Sequence, residues 1–150
     1  MTLISQTPED SLVRTFEFDK LDRSLSPIEN LVNNFGIVYV TSITRDGCSG
    51  CAEQKPLFRD LANKIAGRHQ QRAVFSSVHI RYNPEDDGES RAAKRAFRHP
   101  AYPTYMIHVK SKLGSLELYR AVYPTMEELE QQIMSAFELA DYYKVDSDAT

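Results

Sequence analysis

The chain has 150 residues, of which 41% are hydrophobic and 26% charged, with a formal net charge of −3. This length and composition suit one globular domain with a substantial core. The charge balance gives no reason to expect nucleic acid as a partner, and no apolar run approaches the ~20 residues of a membrane span, so no membrane partner is expected either. The first ten residues carry neither the basic segment nor the apolar core of a secretory signal. The chain's 2 cysteines do not make a disulfide scaffold. A cytoplasmic setting is therefore the expectation.

In chain order, residues 1–11 are polar and read as a flexible N-terminus. Residues 12–18 alternate between apolar and polar and predict a first strand. Residues 19–34 predict a helix interrupted near Pro27, with Ser26 as N-cap and Pro27 in the first turn. Residues 36–43 are short, apolar and β-branched, as a buried strand requires. After a loop over 44–47, the spacing predicts a helix over 48–66. Leu57, Phe58, Leu61 and Ile65 fall on one of its faces, and Gly67 stands just past its end. A second buried strand is predicted over 73–80, a turn over 83–88, and a short helix over 89–98 that ends before Pro100.

Two strands, 104–109 and 116–122, sit close enough to form a hairpin. The last helix opens on a capping box, Thr125-x-x-Glu128, and carries the apolar stripe Met126, Leu129, Ile133, Phe137 and Ala140. The ordered domain is expected to span 12–141, with a flexible tail over 142–150. Strands alternating with helices imply an α/β fold. Its central sheet is mixed, mostly parallel with a C-terminal antiparallel hairpin, and helices flank both faces.

Both cysteines lie in one motif, Cys48-Ser49-Gly50-Cys51, between a strand and a helix, and a pair so placed reads as a dithiol redox site. Only a thiolate attacks a disulfide. At a helix N-terminus, unpaired N–H groups and the dipole favour negative charge on Cys48. Cys51, one turn later on the same face, is placed to close or resolve a disulfide. Cys48 thus reads as the exposed attacker and Cys51 as the buried resolver. Gly50 relaxes the turn, and Ser49 offers a hydroxyl to a sulfur. Arg45 would favour the thiolate and Asp46 would oppose it.

The combination of this motif, Pro56 within the following helix, Tyr102-Pro103-Thr104 opening a strand, Gly114 in the hairpin and a C-terminal helix resembles the thioredoxin superfamily over roughly residues 12–141. The resemblance implies a thiol–disulfide oxidoreductase without cofactor or metal. It would act on a disulfide-containing protein substrate and receive electrons from an upstream reductase. The resemblance further implies that Pro103 is cis and faces the dithiol, that the backbone of Tyr102 pairs with an incoming peptide, and that Gly47, Ser49 and Gly50 frame the same surface. Pro56 would kink the helix.

The departures from the family pattern are specific. Gly47 stands where a tryptophan is usual, Ser-Gly replaces Gly-Pro between the cysteines, and Ser42 takes the place of a buried acid that assists proton transfer. These differences point to a specialised redox protein. They leave open a disulfide oxidase or isomerase, and also a redox-inactive adaptor or chaperone-like module. The histidines lack zinc-site spacing. His69 and His99 read as exposed loop residues, and His79 and His108 as residues on strand faces. Arg91, Lys94, Arg95 and Arg98 form a basic run that reads first as a solvated helix face and second as a docking site for an acidic partner.

Overall fold

The computed structural model describes residues 12–21 and 26–148. The expected flexible N-terminus, 1–11, lies outside the described residues. Five strands form one sheet in the order β1-β3-β2-β4-β5: β1 (Val13–Glu17), β2 (Val38–Arg45), β3 (Ala73–Ile80), β4 (Thr104–Ser111) and β5 (Gly114–Val122). β3 pairs in parallel with β1 and β2, whereas β4 runs antiparallel to both β2 and β5. The helices are α1 (Ser49–Arg68), α2 (Gly88–Phe97) and α3 (Met126–Asp148). Among the described residues no helix is long and apolar enough to cross a membrane.

The period-two alternation of each strand divides the core into two layers. On one face, Val38, Val40, Phe75, Tyr105, Ile107 and Val109 pack against α1 and α3. On the other, Tyr39, Ile43, Val78, Ile80 and Met106 pack against α2 and the segment before β2. The stripe of α3 is as its spacing implies, with Leu129, Ile133, Phe137 and Ala140 buried. The hydroxyl of Thr125 accepts the Glu128 N–H at 3.0 Å. The Glu128 carboxylate turns away from the cap and takes the Tyr119 hydroxyl instead.

Four local expectations are corrected. The described part of 19–34 holds two 3₁₀ turns, Phe18–Lys20 and Pro27–Asn30, and no α-helix. Burial of Ile28, Leu31 and Val32 on the sheet fixes this segment, and Gly36, at φ +81°, turns the chain into β2. Gly67 lies inside α1, which continues to Arg68 and is capped by His69. Leu57 points outward and is 46% exposed. α3 runs on to Asp148, past residue 141 where the sequence reading closes the domain, and the Lys144 side chain lies against Gly36.

The histidine readings divide. His79 and His108 stand on β3 and β4 as expected. His99 is buried, because Arg98 in the left-handed region (φ 58°) folds the chain back. Its Nδ1 sits 2.9 Å from the Ala101 carbonyl and its ring meets the Tyr102 ring edge-on. His69 stacks on Phe137 with ring centroids 4.9 Å apart.

Candidate active site

β2 delivers the chain to the cysteines across a tight turn. Gly47 occupies φ +72°, a left-handed conformation that glycine adopts without penalty. Cys48 then takes the N-cap position with extended backbone, and its Sγ accepts the Cys51 N–H at 3.1 Å. The two cysteines are joined as a disulfide, their Cα atoms 5.2 Å apart, a separation normal for the bond. Cys51 is buried at 7% exposure, whereas Cys48 is half-buried. The two sulfurs therefore differ in exposure, and the cause is local. Cys51 begins the buried stripe of α1, which continues through Phe58, Leu61 and Ile65, while Cys48 stands outside it. Pro56 lies within α1 and withholds an N–H from the Ala52 carbonyl, one residue past Cys51.

The Tyr102–Pro103 peptide is cis. It belongs to the loop that enters β4, and the Pro103 ring meets the dithiol turn directly. A Cβ placed on Gly50 would lie 3.4 Å from Pro103 Cδ on one side and 3.1 Å from the Tyr123 ring on the other. Gly50 is therefore clasped between two rings, which accounts for the absence of a side chain at that position. Tyr123 is held in place by three features: a left-handed backbone (φ 53°), a 3.0 Å hydrogen bond from its N–H to the Pro103 carbonyl, and its hydroxyl on the Glu53 carboxylate. Sequence reasoning missed Tyr123. Its only local signal is its place between the hairpin and Pro124. Tyr102 is anchored away from the sulfurs, its hydroxyl 3.2 Å from both Ser90 Oγ and the Ser90 carbonyl. Ser49 is exposed.

Behind the disulfide lies a cavity of about 520 Å³ shared by both cysteines, Ser42, His79, Lys55 and Arg59. Ser42, on β2, is buried at 2% exposure. The neighbouring Tyr105 phenol hydrogen-bonds to Ser42 but is pushed up to about 12 by burial. The nearby charges are arranged differently from the sequence expectation. Arg45 lies over the Tyr82 ring at 3.8 Å while also lining the cavity. Asp46 is engaged by His79, with Nε2 to Oδ1 at 2.7 Å. The other ring nitrogen of His79 meets Glu17 at 2.8 Å. Among the described residues no three His, Cys, Asp or Glu side chains gather as a metal site would need.

His79 carries a pH dependence whose sign follows from these contacts. Burial alone would lower its pKa, but the hydrogen bonds to Glu17 and Asp46 outweigh burial and raise it above 6.5. The hydrogen bond from His79 is also the main cause that holds Asp46 low. A raised histidine stabilises the fold fully below its unfolded value of about 6.5 and loses that contribution as pH rises through the folded value. Urea denaturation of the wild type and His79→Gln at pH 6 and pH 9 is expected to show a stability gap that narrows at the higher pH. A gap that widens with pH would contradict the assignment.

No protein-family model matches the chain, and no curated protein does. Solved structures do. Fasciola hepatica thioredoxin is similar at TM-score 0.56 and 20% identity, over 81% of this chain and 97% of that one. Trichomonas vaginalis thioredoxin is similar at TM-score 0.61 and 11% identity, over 82% and 96%. A thioredoxin f2, solved in complex with ferredoxin:thioredoxin reductase, is similar at TM-score 0.56 and 17% identity, over 83% and 94%. The sheet order, the helix that starts at the cysteines and these likenesses agree, and the chain is a thioredoxin-fold protein carrying a Cys48-Ser49-Gly50-Cys51 pair.

Proposed function

We propose that the protein is a thiol–disulfide oxidoreductase that reduces protein disulfides in the cytoplasm. The observation that supports this reading is the pairing of a half-buried Cys48 at a helix N-cap with a buried Cys51 one turn later, closed as a disulfide beside Pro103. The Cys48 thiolate attacks one sulfur of the substrate disulfide. A Cys48 mixed disulfide forms and the first substrate thiolate leaves. Cys51, having lost its proton, then attacks Cys48 Sγ, the Cys48–Cys51 disulfide closes, and the second substrate thiolate departs. The substrate gains two electrons and the protein is oxidised.

Pro103 and the Tyr102 backbone serve as the docking strand for the substrate, with Gly47, Ser49 and Gly50 at its margin. An upstream reductase returns the two electrons. The complex of a similar thioredoxin f2 with ferredoxin:thioredoxin reductase supports a partner of that kind. No organic cofactor or metal takes part in the exchange.

The test is the midpoint potential of the Cys48–Cys51 couple, measured by equilibration in thiol/disulfide buffers, alkylation and mass counting of labels. A value near about −270 mV supports a reductant, and one above about −200 mV an oxidase or isomerase. Failure to form an intramolecular disulfide in any buffer sinks the dithiol reading.

A further inference from the structure

A second concave surface, about 530 Å³, opens between α1 and the start of α3. It adjoins the dithiol without containing it. Tyr123 forms the shared wall, with its ring against Gly50 on one side and lining the groove on the other. The floor is apolar, formed by Leu57, Leu61, Pro124 and Met126. Leu57 and Tyr123 remain 46% and 48% exposed, a high exposure for two large apolar side chains side by side on one groove.

The rim is acidic. Glu53, Asp60, Glu127 and Glu130 line it, and its lysine, Lys64, is engaged by Glu130 at 2.9 Å. A third observation is independent of charge and hydropathy. Gln54 lines the groove at 5% exposure and donates from Nε2 to the Pro124 carbonyl at 2.7 Å, while its Oε1 has no hydrogen-bond partner. That hydrogen bond ties the Pro124 corner, one wall of the groove, to α1.

We infer that this groove is a docking site for the partner protein, and that it receives a segment with an apolar side chain flanked by lysine or arginine. The apolar side chain fills the floor over Leu57 and Met126, and its basic neighbours face Asp60 and Glu127. Charge complementarity selects this occupant over an acidic or purely polar segment. Tyr123 couples the groove to the dithiol, so a segment seated here brings the adjoining chain past Cys48. The inference rests on the oxidoreductase reading only for the identity of the partner as substrate or reductase. The groove itself is tested separately.

The experiment is fluorescence anisotropy on the oxidised full-length protein with three cysteine-free, fluorescein-labelled peptides of equal length. One has a Leu-Phe pair flanked by lysines, one has glutamates in place of the lysines, and one has serines in place of Leu-Phe. The first is expected to bind at least ten-fold tighter than either of the others. The double variant Asp60→Lys/Glu127→Lys is expected to lose that ten-fold preference, and Leu57→Ser to weaken binding by a similar factor, with thermal melts confirming that both are folded. Equal affinity for the three peptides overturns the inference, as does a lysine preference that survives in both variants. Turnover of a small aromatic disulfide by the wild type is measured alongside. Its absence would sink the oxidoreductase reading and leave the peptide result to stand or fall alone.

Discussion

Cys48→Ser is expected to abolish disulfide exchange, by on the order of 10³-fold or more, without unfolding the protein. The two effects separate because Cys48 has two roles. Its sulfur is the proposed nucleophile, and it is also the N-cap of α1, accepting the Cys51 N–H at 3.1 Å. Serine is among the preferred N-cap residues, so its hydroxyl oxygen takes over the cap while removing the thiolate. Cys51→Ser should behave differently. Cys48 can still attack, but no resolving thiol follows, and a stable adduct should accumulate at Cys48. The readouts are the rate of reduction of a protein disulfide, the intact mass of the Cys51→Ser protein after exposure to substrate, and a melting curve for each variant. Retained exchange in a folded Cys48→Ser protein would refute the proposed role of the dithiol.

Periodicity sufficed for the strands of the sheet and for the placement of the two cysteines, since strand alternation and helix stripes are local properties of the chain. β3 has the predicted bounds, 73–80, and the Thr125 cap and the α3 stripe are where spacing puts them. The failures occur where tertiary contacts decide. Leu57 and Phe58 are adjacent apolar residues on one helix, and their numbers alone do not say which faces the sheet. The aromatic contacts of Phe58 settle it. The segment before β2 carries helix-compatible residues, yet burial of Ile28, Leu31 and Val32 fixes it as a 3₁₀ turn. At the site, the charges around Cys48 were legible but their partners were not. Arg45 is drawn to Tyr82 and Asp46 to His79, contacts that depend on strand register. Tyr123 was invisible because its role arises from a hydrogen bond to a carbonyl twenty residues earlier in sequence.

Phe58→Ala is expected to destabilise the protein by about 3–5 kcal/mol, the range for deleting a buried aromatic ring, whereas Leu57→Ala should stay within about 0.5 kcal/mol. Phe58 is 3% exposed and packs edge-on against Phe75 of β3 and at a tilt against Tyr105 of β4, with centroids 5.5 and 5.4 Å away. Removing it empties the space between α1 and strands β3 and β4, in a core where close packing leaves neighbours little freedom to collapse inward. The expected loss is large against a total stability of about 5–15 kcal/mol, and it corresponds to a fall in Tm on the order of 10 °C for a domain of this size. Phe58 also lines the cavity behind the disulfide, two helical turns below Cys51 on the same buried stripe. The void therefore opens beneath Cys51, and water gains access to its sulfur. Conservative Phe58→Leu refills most of that space and should recover at least half of the lost stability. Urea denaturation of the four proteins decides the matter. Equal costs for Leu57→Ala and Phe58→Ala would mean that α1 is rotated from the orientation that buries Cys51 and leaves Cys48 at the surface.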